Sequence, residues 1–248
     1  LEPMIPGETK IIKNLDLFNK LEPLQISIST LKKELPKEKK LIGFAGAPWT
    51  LACYMVEGGS SKAWSQVKRC AYESPKVMHA LLDKLTTSVI EYLNAQVDAG
   101  ADALMVFDTW GGVLSYVTYD TYSLQYMRRI AAEVCRERNG QRIPLVFFTK
   151  HASPWLECLA DSGCDAVGLD FLIDISDAKR RIGDRVALQG NLDPHVLMGT
   201  PDLIEKEVGR IMTAFQGETT GHVFNLGHGI DKDTPISGVE TMLKALRD

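Results

Sequence analysis

The chain has no apolar run approaching the roughly 20 residues that a membrane-spanning helix needs. It also has no charged-then-apolar leader of the secretory type. It has no excess of positive charge: 28 Lys and Arg against 32 Asp and Glu leave a formal net charge of −4. That gives no support to nucleic-acid binding, but an anionic ligand stays open because only the local field at a site matters. Cysteine is scarce. Five are scattered through expected strands and helices, an odd count that fits reduced thiols in a cytosolic protein better than a disulfide framework. No GxGxxG follows an apolar strand and no GxxxxGK[ST] occurs, so neither phosphate-cradling fingerprint is available. No His-x-Cys pair occurs either: His151 is followed at two residues by Ser153, and His228 by Ile230.

What is present is alternation. Leu41, Ile42 and Phe44 form a short apolar run consistent with a buried parallel strand. It stops at Gly46-Ala47-Pro48 and is followed by Trp49, Thr50, Tyr54 and Glu57-Gly58-Gly59. Ahead of it, residues 1 to 15 read as an irregular lead-in. Leu15 to Leu35 reads as a helix broken by Pro23 and ended by Pro36. Ser60-Ser61 opens a short helix through Cys70. Ser74-Pro75 starts a long helix that Gly100 ends, with Val77, Leu81, Leu85, Val89 and Leu93 as its apolar stripe. Further strands are expected over 103–107, 143–148, 166–169, 186–188 and 222–226. Helices are expected over 115–139, 154–162, near Asp177, and over 201–215 and 239–247. Alternation of this kind implies a parallel sheet with helical crossovers.

Polar residues and glycines collect after every strand. They are Gly46 and Pro48; Asp108-Thr109-Trp110-Gly111-Gly112; Thr149-Lys150-His151; Asp170-Phe171; Gln189-Gly190-Asn191-Leu192-Asp193-Pro194; and Asn225-Leu226-Gly227-His228-Gly229. One functional end to every strand is the mark of a TIM-type (β/α)8 barrel, whose site lies at the carboxyl ends. About six of its eight β/α units are legible. The expectation is therefore a single barrel domain over residues 1–248, incomplete at its N-terminus, with the remaining strands ahead of Leu1.

LIGFAGAPWTLACYMVEGG, FDTWGGVLS, GCDAVGLDF, LQGNLDP and FNLGHGI together resemble the uroporphyrinogen decarboxylase family, from Leu41 to the C-terminus. The resemblance implies a cytoplasmic, homodimeric β/α barrel. It would remove carbon dioxide from the four acetate side chains of uroporphyrinogen, giving coproporphyrinogen in haem biosynthesis, with no metal and no organic cofactor. By the resemblance, Tyr54, Thr109 and His228 are substrate-binding and Phe107 flanks the macrocycle. The family's aspartate at the pyrrole NH groups and its substrate-binding arginines match nothing in this chain, so its catalytic groups are expected upstream of Leu1. Lys150 is followed by His151-Ala152-Ser153 where relatives commonly carry glycines.

Each residue also has a structural reading. Tyr54 can be a core phenol, Thr109 a turn residue, and Asp108 a helix cap or ion-pair partner. Trp110 is read as packing. Asn191 and Asp193 can build a turn with Pro194, and Cys158 and Cys164 can be small buried apolar residues. His228, between two glycines, has less to pack on. Tyr54, Thr109 and His228 are expected to line one cleft. Two other functions compete. One is an inactive fragment that at most binds porphyrinogen. The other is a corrinoid- or folate-dependent methyltransferase, whose zinc would need the missing His-x-Cys pair.

Overall fold

The computed structural model describes residues 17–217 and 221–247; the lead-in expected over residues 1 to 15 lies outside them. The chain divides into two compact units, Leu1–Phe148 with Ser162–Cys164, and Thr149–Asp161 with Asp165–Asp248.

In the first unit, strand β1 (Ile42–Gly46) pairs in parallel with β2 (Ala103–Asp108), Ile42 opposite Ala103 and Gly46 opposite Phe107. Strand β3 (Leu145–Thr149) lies on the other side of β2 and is buried along its whole length. Helix α1 (Leu17–Glu34) runs on through Pro23 where a break was expected. Contacts further along hold it. The Ser29 hydroxyl donates to Ala99 O at 3.1 Å, and Lys32 reaches Asp102 Oδ2 at 2.5 Å. Helices α2 (Pro48–Glu57) and α3 (Ser65–Glu73) precede the long helix α4 (Pro75–Ala99). The Pro75 start and Gly100 stop of α4 are as expected, and Gly100 has φ of 121°. Its buried face is broader than the stripe read from spacing of four. Leu81, Val89 and Leu93 are buried with Met78, Leu82 and Ile90, whereas Val77 and Leu85 are only half-buried. A repeat of 4 drifts around a helix whose turn is 3.6 residues.

One contact of α4 satisfies the backbone of β1 on its side away from β2. Ala47 N–H bonds to Phe107 O, so by strand alternation Phe44 turns its backbone groups away from β2. The Gln96 side chain takes both: Oε1 accepts Phe44 N–H at 2.9 Å, and Nε2 donates to Phe44 O at 3.0 Å. A Cβ on neighbouring Gly43 would stand 2.7 Å from that Gln96 oxygen.

The helix expected over 115–139 is shorter and irregular. It comprises Tyr116–Tyr119, a π-turn over Asp120–Leu124, and Gln125–Glu133. Beyond it Glu137–Arg138 and Gln141–Arg142 pair as an antiparallel hairpin. Asn139 and Gly140 at its tip have φ of 53° and 73°. An Asn-Gly pair at positive φ is a two-residue hairpin turn, and this local preference overrides the helical pattern.

In the second unit, β4 (Ala166–Gly168), β5 (Ala187–Gln189) and β6 (His222–Val223) pair in parallel, Ala166 opposite Ala187 and Leu188 opposite His222. Helices Leu156–Ala160, Ile175–Ile182, Pro201–Thr213 and Ile236–Ala245 occupy the intervals. Ile175, Ala178 and Ile182 on one helix and Ile204, Val208 and Ile211 on another are buried, the 3.6-residue stripes of amphipathic helices. All five cysteines are free thiols; Cys164 is buried as expected, but Cys158 only half so. Among the described residues no helix is long and apolar enough to cross a membrane.

Candidate functional site

Three of the four expected substrate-binding residues, Tyr54, Phe107 and Thr109, lie in the first unit, and His228 lies in the second. Around β2 the local chemistry is explicit. Phe107, near the strand's end, packs edge-on against Phe44, with centroids 6.1 Å apart, and against Phe148 at 5.8 Å. Thr109 follows in the turn and is half-buried. Trp110 then joins a ring cluster. Its centroid is 4.5 Å from that of Trp64 and 6.2 Å from that of Tyr54, and Tyr54 meets Trp64 edge-on at 5.5 Å. Tyr54 is 39% exposed, so this phenol is not sealed in the core. The packing role read for Trp110 holds.

The rest of the YMVEGG stretch is architectural. Glu57 Oε1 accepts the backbone N–H of Gln66 at 2.8 Å and of Val67 at 3.2 Å, capping α3. Gly58 closes α2 at φ 75°. The expected short helix therefore begins at Ser65 rather than near Ser61, whose hydroxyl accepts Trp64 N–H in the preceding turn.

Asp108 corrects its own structural reading. It is neither a surface cap nor an ion-pair partner: it is 0% exposed and accepts the hydroxyls of Thr50 and Ser123. Burial pushes its pKa up to about 6, against the two hydroxyl donors, which pull it down. The folded protein then holds a proton that the unfolded chain has released between pH of about 4 and 6. Stability therefore falls as pH rises through that window and levels off above it. At ~1.4 kcal/mol per pKa unit, the change is on the order of 2–3 kcal/mol. Asp108→Asn should remove this component. Denaturant titrations at pH 4 and 7 should show a smaller pH dependence in the variant; equal slopes would contradict the buried, proton-holding carboxylate.

In the second unit the strand-end residues assemble around Asp170. This carboxylate, 5% exposed, accepts the backbone N–H of His151 and that of Leu172, the latter at 3.0 Å. His151 has φ of 62°, the left-handed region that glycine adopts most easily, in the loop whose His151-Ala152-Ser153 the resemblance set apart. Asn191 is more than a turn residue. It is buried, and its Nδ2 donates to Asp170 O at 2.8 Å and Ile173 O at 2.7 Å. Asp193 does build the turn, accepting His195 N–H at 3.0 Å.

The parallel ladder continues past β6. Leu192 N–H bonds to Asn225 O, and Gly227 N–H to Leu192 O at 2.7 Å. Gly227 then passes so close to the turn after β4 that an added Cβ would stand 2.5 Å from Phe171 N. This brings exposed His228 beside Asp170 and Lys150. Burial around its ring, then the Lys150 ammonium, lower its pKa below the usual imidazole value, while Asp170 pulls the other way. A neutral imidazole next to an ammonium can donate to, and gain a proton for, an incoming carboxylate. Ser123 was not singled out from the sequence, and Thr50, Asp170 and Asn191 were noted only by their place after a strand; Thr50 carries a further signal, since it lies one helical turn before Tyr54.

Comparison with known proteins shows the family. Residues 2–248 match the family model described as uroporphyrinogen decarboxylase (URO-D). The uroporphyrinogen decarboxylase of Actinobacillus pleuropneumoniae serotype 5b (strain L20) is 53% identical over 233 residues, covering 94% of this chain and 66% of that one. That of Pseudoalteromonas translucida (strain TAC 125) is 52% identical over 242 residues, covering 98% and 68%. The chain thus spans about two thirds of the length of the curated relatives it matches. Among solved structures, a methyltransferase from Methanosarcina mazei superposes with a TM-score of 0.79 at 22% identity, over 93% of this chain and 66% of that one. A B12-independent methionine synthase from Shewanella sp. W3-18-1 gives 0.57 at 11%, over 90% and 64%. At such identities these two share the fold alone. The six parallel strands with their helices are β/α units of a TIM-type barrel, and with the family model matched from residue 2 to residue 248, this chain belongs to the uroporphyrinogen decarboxylase family.

Proposed function

We propose that this chain belongs to an enzyme that decarboxylates the four acetate side chains of uroporphyrinogen to give coproporphyrinogen, a cytoplasmic homodimer in haem biosynthesis. The observation that carries the reading is 53% identity to a uroporphyrinogen decarboxylase over 94% of the chain. The side chains at the strand ends support it. A substrate carrying several carboxylates suits hydroxyl and imidazole donors such as Tyr54, Thr109 and His228, and a macrocycle suits the face of Phe107.

The chemistry divides the labour. An acetate on a pyrrole loses carbon dioxide once the adjacent ring carbon is protonated, because the bond's electrons then flow into the ring. Positive charge spreads onto the pyrrole nitrogen, and a carboxylate near the pyrrole NH groups stabilises it. Guanidinium groups hold substrate carboxylates by bidentate pairing. In this reading Tyr54, Thr109 and His228 bind peripheral carboxylates. The charge-stabilising carboxylate and the arginines come from a segment N-terminal to this chain.

The test is coproporphyrinogen production by an N-terminally extended form. Tyr54→Phe and His228→Ala should each lower kcat/KM by about 10-fold or more, the worth of a hydrogen bond to a charged group, with unfolding curves unchanged. Unaltered turnover in both variants would remove them from the substrate site. Because no His-x-Cys pair occurs, the purified protein should carry no stoichiometric zinc. One tightly bound zinc per chain on elemental analysis would instead favour methyl transfer.

A further inference from the structure

A buried carboxylate that the proposed chemistry does not use ties helix α2 to the turn after β2. Asp108 Oδ1 accepts the Thr50 hydroxyl at 2.8 Å and its Oδ2 accepts the Ser123 hydroxyl at 2.5 Å. Ser123 comes from the π-turn at Asp120–Leu124, an irregularity that shifts which residues of a helix face inward. With its proton committed to Asp108, the Thr50 oxygen turns a lone pair to Trp110 N–H, 3.1 Å away. One residue earlier on the helix, Trp49 Nε1 donates to Trp110 O at 3.0 Å. Both backbone groups of the residue after Thr109 are therefore held by consecutive residues of the helix that carries Tyr54.

We propose that Asp108 is a positioning residue: by orienting the Thr50 hydroxyl it sets the backbone of Thr109 and Trp110 against helix α2, and so fixes Thr109 and Tyr54 relative to each other for a carboxylated ligand. The ligand part of this role rests on the function proposed above for Thr109 and Tyr54. An acceptor that is buried and charged, or shares a tightly held proton, binds its donors more firmly than a neutral one. Removing it leaves the buried Thr50 hydroxyl without its acceptor and Ser123 with only the weak Met127 sulfur.

The tie has a spectroscopic reporter in the Trp64–Trp110 pair, whose centroids are 4.5 Å apart. Near-UV circular dichroism of the 248-residue chain reads the Trp110 geometry. Tryptophan quenching by coproporphyrinogen reads binding. KM and kcat for uroporphyrinogen are measured in an extended form. Asp108→Ala and Thr50→Val should lose most of the near-UV signal, weaken coproporphyrinogen binding by about 10-fold or more, and raise KM more than they lower kcat. Asp108→Asn and Thr50→Ser, which keep an acceptor and a hydroxyl in place, should return binding to within about threefold of wild type. If Asp108→Ala does not fold, Thr50→Val, which keeps the carboxylate and the side-chain shape, decides the matter. An unchanged near-UV signal and unchanged binding in Thr50→Val would overturn the proposal. Should even the wild type neither bind nor turn over tetrapyrroles, the proposed function fails, and the near-UV signal alone still decides whether the carboxylate sets the turn.

Discussion

An N-terminally extended form of this chain should convert uroporphyrinogen to coproporphyrinogen at least about 100- to 1000-fold faster than the 248-residue chain, the usual cost of losing one preorganised stabilising group. The groups proposed above to bind substrate are hydrogen-bond donors suited to carboxylates: two hydroxyls and an imidazole. They can hold the rim of a porphyrinogen, but no one of them stabilises a protonated pyrrole as a carboxylate does. If the arginines that would clamp the substrate are absent as well, the deficit compounds. Assaying both forms for coproporphyrinogen at matched concentration decides it. Comparable rates would show that the charge-stabilising group lies among these 248 residues, and Asp108 and Asp170, the buried carboxylates at strand ends, would be the first to mutate.

A single methyl group at Gly227 should also impair the His228 side of the proposed site, by a smaller factor. The Cβ of Gly227→Ala would lie 2.5 Å from Phe171 N and 3.0 Å from Asp170 C. Both are backbone atoms, so no rotamer change relieves the clash. The loop must lift from the turn after β4, carrying His228 away from Asp170. Overpacking of this kind costs about 1–3 kcal/mol, and if His228 binds a substrate carboxylate as proposed, its displacement should add about a 10-fold loss in kcat/KM. Gly229→Ala is the control, since nothing lies within 4 Å of its added Cβ. Chemical denaturation and turnover of the two variants side by side check this. Equal behaviour would mean that the close approach of Gly227 is not what places His228.

Local chemistry by itself determined the order of strands and helices here. Pro75 and Gly100 bound the long helix because the one lacks an N–H and the other tolerates positive φ, properties of single residues. Short apolar runs ending in glycine and polar residues placed β1 to β6 and, with the motifs, the family and the candidate residues Tyr54, Phe107, Thr109 and His228. The Asn139-Gly140 turn was equally local, and the helical reading ran over it only because a longer apolar pattern surrounded it. Tertiary structure decided the rest. Whether Asp108 sits in water or in the core depends on the hydroxyls of Thr50 and Ser123, 58 and 15 residues away, and no window of sequence contains that pairing. Nor could the sequence show that Gln96 satisfies both backbone groups of Phe44 from 52 residues off. Helix α1 survives Pro23 for the same kind of reason: its propensity loses at one position what its contacts with Ala99 and Asp102 restore at others. A carboxylate's environment, the partners of a strand's backbone and a helix that runs through a proline are all settled by which distant groups arrive to meet them, and that is the information a linear chain holds only once it has folded.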